Sequence, residues 1–219
     1  MSQLILVRHG QSIWNAENLF TGWVDVELTE RGVEDARRGG QLLAGAGFHI
    51  DRAFTSTLRR AIDTGQIILD ELGQGDLEQI RAWQINERFY GALTGRNKAQ
   101  TAAEFGEEQV RIWRRSYATP PPGGESLKDT TARTLPYFRE VILGATAEVG
   151  TVLVSAHGNS LRAIVKELDG LSDDEVVRLE IGYGVPYVYE ITDGRPTAKQ
   201  ILEEPAAAEA RTPSLREEP

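Results

Sequence analysis

The chain has no cysteine among its 219 residues. Disulfides, thiolate zinc centres and iron–sulfur clusters are excluded at once. Histidine is nearly as scarce, with three copies, so chemistry resting on imidazole has few places to occur. No apolar run approaches the roughly 20 residues a membrane helix needs. Residues 1–7 also lack the basic start and long apolar core of a signal peptide. No membrane association is expected, and the cytoplasm is the expected compartment. An excess of positive charge is missing as well, since the formal net charge is −9. Nucleic-acid surfaces must be basic, so that partner is excluded. A small anionic substrate is not, because a few arginines gathered in one pocket can hold phosphate inside an acidic protein.

What is present suits one soluble domain with a sizeable core and a short tail: 40% of residues are hydrophobic and 26% charged. Strand patterns fall at residues 3–7 (QLILV), 52–56 (RAFTS), 77–81 (LEQIR), 151–156 (TVLVSA), 185–191 (VPYVYEI) and 197–202 (TAKQIL). Helix patterns lie between them. One opens near Ser12; a second is capped by Thr29, with Val33, Ala36, Leu42 and Leu43 inside it and weakened by Gly39-Gly40. Others cover 57–72 and 126–143, where Pro136 should kink the helix or limit its start, and 159–170, ending at Gly170. Strands alternating with helices give an α/β fold, a three-layer sandwich with a mostly parallel central sheet flanked by helices. Residues 83–125 form a long excursion, with a helical stretch in EEQVRIWRRSY and a TPPPGG breaker, and long excursions often carry function. The domain expectation is 1–202 as one catalytic domain and 203–219 as a mobile tail rich in Glu, Pro and Ala.

Two histidines occur in matching settings. ILVRHGQS (5–12) and LVSAHGNS (153–160) each run from an apolar strand through His-Gly and an amide to a serine that opens a helix. Sheets of this class bind ligands beyond the carboxyl ends of their strands. Helix N-termini there offer free N–H groups and a positive dipole end, which suit phosphate. Glycine after each histidine permits close backbone approach. His49, in GFHID, lies in no such setting and reads as structural.

Three chemistries use such a pair. A zinc site wants three or four ligands, and neither HxH nor HExxH occurs. A serine hydrolase wants a G-x-S-x-G elbow, which neither GQSIW nor GNSLR supplies. The third is attack on phosphorus by a neutral imidazole, its second nitrogen donating a hydrogen bond that fixes the tautomer. The transferred phosphoryl spreads charge over three oxygens, so cations and N–H donors should surround it. Arg8 stands beside His9, and no metal is needed.

The segments LVRHGQSIWN, FTGW, TSTLRRA, NERFYGALTGRNK, WRRSY, GGESL and AHGNSLR, in this order from about Leu4 to Ile201, resemble the cofactor-dependent phosphoglycerate mutases of the histidine phosphatase superfamily. The resemblance implies that fold and interconversion of 3-phosphoglycerate and 2-phosphoglycerate, with 2,3-bisphosphoglycerate as the cofactor that primes His9. It implies His9 as the phosphorylated residue and Arg8, Arg60 and His157 as its charge-stabilising partners. Ser12 and Asn15 match phosphate donors, and Glu87 the residue that moves a proton to or from the substrate hydroxyl. Tyr90, Lys98, Arg114 and Arg115 match substrate-binding positions, and Thr21, Gly22, Gly158 and Asn159 line the same pocket. A homodimer or homotetramer is in keeping with the family. A phosphatase, a bisphosphoglycerate synthase and a non-catalytic phosphate-binding module are the alternatives. Here PPPGGESL closes a gap that longer members fill, and the tail beyond Ile201 departs from the family's usual basic-aromatic ending.

Overall fold

The computed structural model describes residues 2–203. In chain order they form β1 (Ser2–Arg8), α1 (Ile13–Ala16), α2 (Glu30–Gly45), β2 (Arg52–Thr55), α3 (Arg59–Glu71) and β3 (Gln79–Arg81). There follow α4 (Lys98–Phe105), α5 (Glu107–Arg115), α6 (Leu127–Tyr137), α7 (Leu143–Glu148), β4 (Thr151–Ala156), α8 (Gly158–Asp169), α9 (Asp173–Arg178), β5 (Pro186–Thr192) and β6 (Arg195–Ile201). The sheet order is β3-β2-β4-β1-β5-β6. The four strands from β3 to β1 run parallel, and β5 and β6 add an antiparallel edge.

The three layers follow from the alternation of apolar side chains. In β1, Leu4 and Leu6 join Val152, Val154, Phe138, Leu161 and Ile164 on the face covered by α6, α7 and α8. Ile5 and Val7 join Leu153, Val188, Leu43 and Ile68 on the face covered by α2 and α3. Every one of these is buried, and each contributes about 1.5–3 kcal/mol of transfer free energy. A smaller cluster of Phe20, Leu93 and Val110, flanked by Tyr90, Ala102 and Trp113, ties the excursion to the loop after α1.

Several local expectations change. The helix near Ser12 is a single turn, and the helical stretch ending at Arg115 follows a separate helix, α4, across Gly106 at φ +87. Pro136 does not limit the start of α6, which begins at Leu127 nine residues before it; beyond it the chain continues through a π-helical segment, Phe138–Ile142, into α7. Gly39 and Gly40 do more than weaken α2. A Cβ at Gly39 would stand 2.3 Å from the Gly184 carbonyl oxygen, and one at Gly40 would stand 2.7 Å from Cβ of Glu71 on α3. The pair lets α2 lie against the backbone at 184 and against α3. The expectation of a mobile tail falls on residues outside the described ones, apart from Glu203.

Candidate active site

Strand register brings the histidines together. β1 and β4 are parallel neighbours with Arg8 opposite Ala156, so His9 and His157 each sit one residue past the same sheet edge. The His9 N–H donates to the Ala156 carbonyl at 3.0 Å. Gly10 and Gly158 then serve different ends. At Gly10 a Cβ would meet the Gly32 carbonyl oxygen at 2.0 Å, so this glycine seats the loop on α2. At Gly158 the nearest groups are Arg8 Nε at 3.6 Å and Glu87 Oε2 at 3.8 Å, so this one faces the cavity. The serines differ too. Ser12 caps α1, whereas Ser160 lies inside α8, where His157 is the cap residue.

Hydrogen bonds fix both imidazoles. His9 Nδ1 lies 2.6 Å from the Gly10 carbonyl oxygen. That oxygen can only accept, so Nδ1 carries the proton and Nε2 keeps its lone pair. His157 Nε2 lies 2.7 Å from Ser56 Oγ, which itself accepts the Leu58 N–H at 3.1 Å. His157 Nδ1 is buried with no protein partner. Both histidines are held well below the ordinary imidazole range, first by burial and then by the Arg60 charge. Both are therefore neutral at neutral pH.

Cations surround them. Arg8 donates to the Ile181 carbonyl at 2.8 Å and stacks 4.1 Å over the Tyr183 ring. Arg60 donates to the carbonyls of Val24 and Gly22 at 2.9 and 2.8 Å. Burial lowers Arg60 to about 10, which leaves it charged. Gly22 sits at φ +55, which glycine reaches without strain.

Glu87 is buried, and its Oε1 accepts from the Arg88 N–H at 2.7 Å and from the Asn159 side chain and backbone at 2.8 and 3.2 Å. Burial alone would raise its pKa. The Arg88 and Asn159 hydrogen bonds, with Arg60 and Arg8, outweigh that and hold the carboxyl below its usual range. Asn159 is aimed by Arg162, which donates to its Oδ1 at 3.2 Å. Arg115 pairs with Glu180 at 2.7 Å. Burial, then Arg114 and Arg8, lowers Lys98 to about 8.

These groups border one cavity of about 270 Å³ with six arginines, Lys98 and two carboxylates, Glu87 and Glu180, on its walls. Of the residues expected from sequence, Arg8, His9, Asn15, Thr21, Gly22, Arg60, Glu87, Tyr90, Lys98, Arg114, Arg115, Gly158 and Asn159 all line it. His157 lies behind His9, with ring centroids 4.9 Å apart. Ser12 is fully buried and spends its hydroxyl on Asn15 Oδ1 at 2.9 Å. The sequence reading missed Arg88, Arg162, Tyr183 and Glu180, which also line the cavity. Arg162 was findable as the i+3 neighbour of Asn159 on one helix face. Tyr183 and Glu180 reach the cavity from beyond α9 and carry no local signal.

The walls fit a polyanion. Arg8 Nε, Arg60 Nε, Arg88 Nε, Thr21 Oγ1 and His157 Nδ1 are all buried without a protein partner. Such buried polar groups are costly unless a ligand or water meets them. Among the described residues no cluster of three or more His, Asp or Glu side chains is placed to hold a metal ion, and no helix is long and apolar enough to cross a membrane.

Residues 4–203 match the model of the histidine phosphatase superfamily, branch 1. A 2,3-bisphosphoglycerate-dependent phosphoglycerate mutase of Mesorhizobium japonicum is 54% identical over 201 residues, spanning 91% of this chain and 98% of that protein. Its counterpart in Thermobifida fusca is 49% identical over 238 aligned positions, 96% of each chain. The solved mycobacterial glucosyl-3-phosphoglycerate phosphatase superposes with a TM-score of 0.75 at 26% identity, over 87% of this chain and 93% of its own.

Proposed function

The chain belongs to the histidine phosphatase superfamily, and we propose that within it the chain works as a 2,3-bisphosphoglycerate-dependent phosphoglycerate mutase. It interconverts 3-phosphoglycerate and 2-phosphoglycerate, a step of glycolysis and gluconeogenesis, and the cytoplasm is its place of work. The curated relatives of that name support the reading. One observation carries it: a neutral histidine and a buried, ionised carboxylate border the same cation-lined cavity.

Residues 1–202 act as one catalytic domain, with the excursion at 83–125 over the site. Arg8, Arg60 and the unpartnered donors around His9 hold phosphate. Tyr90, Lys98, Arg114 and Arg115 hold the rest of a three-carbon acid, whose carboxylate and phosphate both need cations. The cofactor 2,3-bisphosphoglycerate, when bound, supplies the phosphoryl group that primes His9 at Nε2.

In the transfer from phospho-His9, the substrate hydroxyl oxygen forms a bond to phosphorus as the N–P bond breaks. The hydroxyl proton passes to Glu87, which its ionised state allows. In the return step, His9 Nε2 bonds the phosphorus on the other carbon, the C–O–P linkage opens at P–O, and Glu87 gives the proton to the departing oxygen. The cycle leaves His9 phosphorylated and Glu87 ionised, as it began. His157 donates from Nδ1 to the phosphoryl oxygens, and Arg60 and Arg8 offset their charge.

The test is phosphorus NMR of 3-phosphoglycerate with the purified chain, with and without 2,3-bisphosphoglycerate. Stimulated appearance of 2-phosphoglycerate supports the mutase. Net release of inorganic phosphate without isomerisation overturns it in favour of a phosphatase, the activity named for the mycobacterial structure. No turnover at all overturns it in favour of a binding module.

A further inference from the structure

Arg133, on α6, borders no part of the cavity, yet its side chain is only 10% exposed. Its guanidinium faces a row of backbone carbonyls. Nη1 donates to Gln84 at 2.8 Å and Asn86 at 3.2 Å, and Nη2 donates to Asn86 at 3.2 Å and Glu87 at 2.9 Å. Its other edge grips Glu125 in a bidentate pair, Nε at 2.8 Å and Nη2 at 2.9 Å. Glu125 completes the frame, because its carboxylate accepts the Phe89 N–H at 2.9 Å and its own N–H donates to the Phe89 carbonyl at 2.8 Å. Trp23 adds a second donor to the Glu87 carbonyl through Nε1 at 2.5 Å, and its ring lies 5.5 Å from the Arg133 cation.

The peptide carrying Glu87 and Arg88 is thus fixed on both sides by one half-buried ion pair. A long, irregular segment would otherwise have no ladder to hold it. A proton-transferring carboxylate must stand within hydrogen-bond reach of the reacting oxygen, and small misplacements are costly. We infer that Arg133, anchored by Glu125, is a positioning residue that sets where the Glu87 carboxylate stands against the substrate oxygen. This rests on the reading of Glu87 as the proton carrier. A planar five-donor fork is required, because a lysine ammonium carries its three donors on a single nitrogen and cannot span three carbonyls and a carboxylate.

A double-mutant cycle on mutase turnover tests it. Arg133→Lys lowers kcat by about tenfold or more, with KM for 3-phosphoglycerate within about threefold, because the substrate-holding cations are untouched. In a Glu87→Gln background the same substitution costs less than about threefold, because the group being positioned is already disabled. Trp23→Phe keeps the ring and removes one donor, so it shows the same non-additivity with a smaller loss and serves if Arg133→Lys does not fold. Wild-type kcat in Arg133→Lys overturns the inference, and so does an equal loss in both backgrounds, which is what a merely structural role gives. Wild-type turnover in Glu87→Gln overturns the proton-carrier reading itself, whatever Arg133→Lys does.

Discussion

His9 and His157 meet edge to face, with ring planes inclined at 61° and centroids 4.9 Å apart. Two like-charged imidazolium ions could not share that spacing in a buried site beside Arg60. Neutrality of both rings is therefore built into the strand pairing, and His9 Nε2 keeps its lone pair at neutral pH.

The tautomer sets which nitrogen the proposed phosphorylation of His9 uses. With Nδ1 committed to the Gly10 carbonyl at 2.6 Å, Nε2 is the reactive atom. Treatment with radiolabelled 2,3-bisphosphoglycerate should label the chain with an acid-labile, alkali-stable group. Phosphorus NMR of the digested N-terminal peptide should assign it to Nε2 of His9. His9→Ala should take up no label and keep its circular dichroism spectrum. Label on Nδ1, or on any other residue, would be inconsistent with this geometry.

Lys98 gives the site a dependence on alkali. Its ammonium is lowered to about 8 by burial, Arg114 and Arg8, so it is charged below that pH and loses its proton above it. KM for 3-phosphoglycerate should rise as pH climbs from about 7.5 to 9. Lys98→Arg, which keeps its charge throughout, should flatten that rise over the same range. A KM–pH curve of equal slope in the two proteins would remove Lys98 from substrate binding.

The buried histidines also govern acid stability. Their folded-state values lie well below 6.5, so below about 6.5 the unfolded chain binds protons that the folded one does not. Stability is fully present above that pH and is lost as pH falls toward the folded values. Each histidine contributes a slope of up to about 1.4 kcal/mol per pH unit in that window. Urea midpoints between pH 7 and 5 should fall steadily, and the double variant His9→Gln with His157→Gln should fall less steeply.

Gly39→Ala sets two effects of opposite sign against each other. Alanine favours the helix by about 1 kcal/mol. Its methyl would stand 2.3 Å from a backbone oxygen at Gly184, which no side-chain rotation can relieve. Overpacking costs about 1–3 kcal/mol, and a clash this close to backbone falls in the upper part of that range, about 2–3 kcal/mol, so it wins here. Thermal unfolding should show a net loss of about 1–2 kcal/mol; an unchanged or raised midpoint would mean that α2 and the 184 turn are not held together.

The strands and most helices were legible because their signals are local: apolar runs of four to six residues, caps and breakers. The paired histidines were legible for a related reason. They repeat one local pattern, and only strand adjacency was needed to join them. Glu87 was legible through the family resemblance alone, since nothing within its own segment distinguishes it from other glutamates. Arg133 and Tyr183 were not legible at all, because their roles depend on which elements lie beside them after folding. The Gly39-Gly40 pair was read for its propensity, a property of the isolated helix, while its use lies in contact with the 184 turn and α3. The likeness to Ser12 makes Ser160 a cap, but α8 begins three residues earlier than that analogy requires.

The sheet order also sets a timetable for the growing polypeptide. β1 pairs only with β4 and β5, strands made roughly 150 residues and more after it, and β2 cannot substitute because β4 lies between them. Until the ribosome has added β4, β1 has no neighbour to join. An incomplete chain thus exposes His9 without its opposing imidazole, and translation must pass residue 157 before the enzyme can be charged. Release of a truncated product shorter than that leaves the proposed nucleophile, His9, with no site around it.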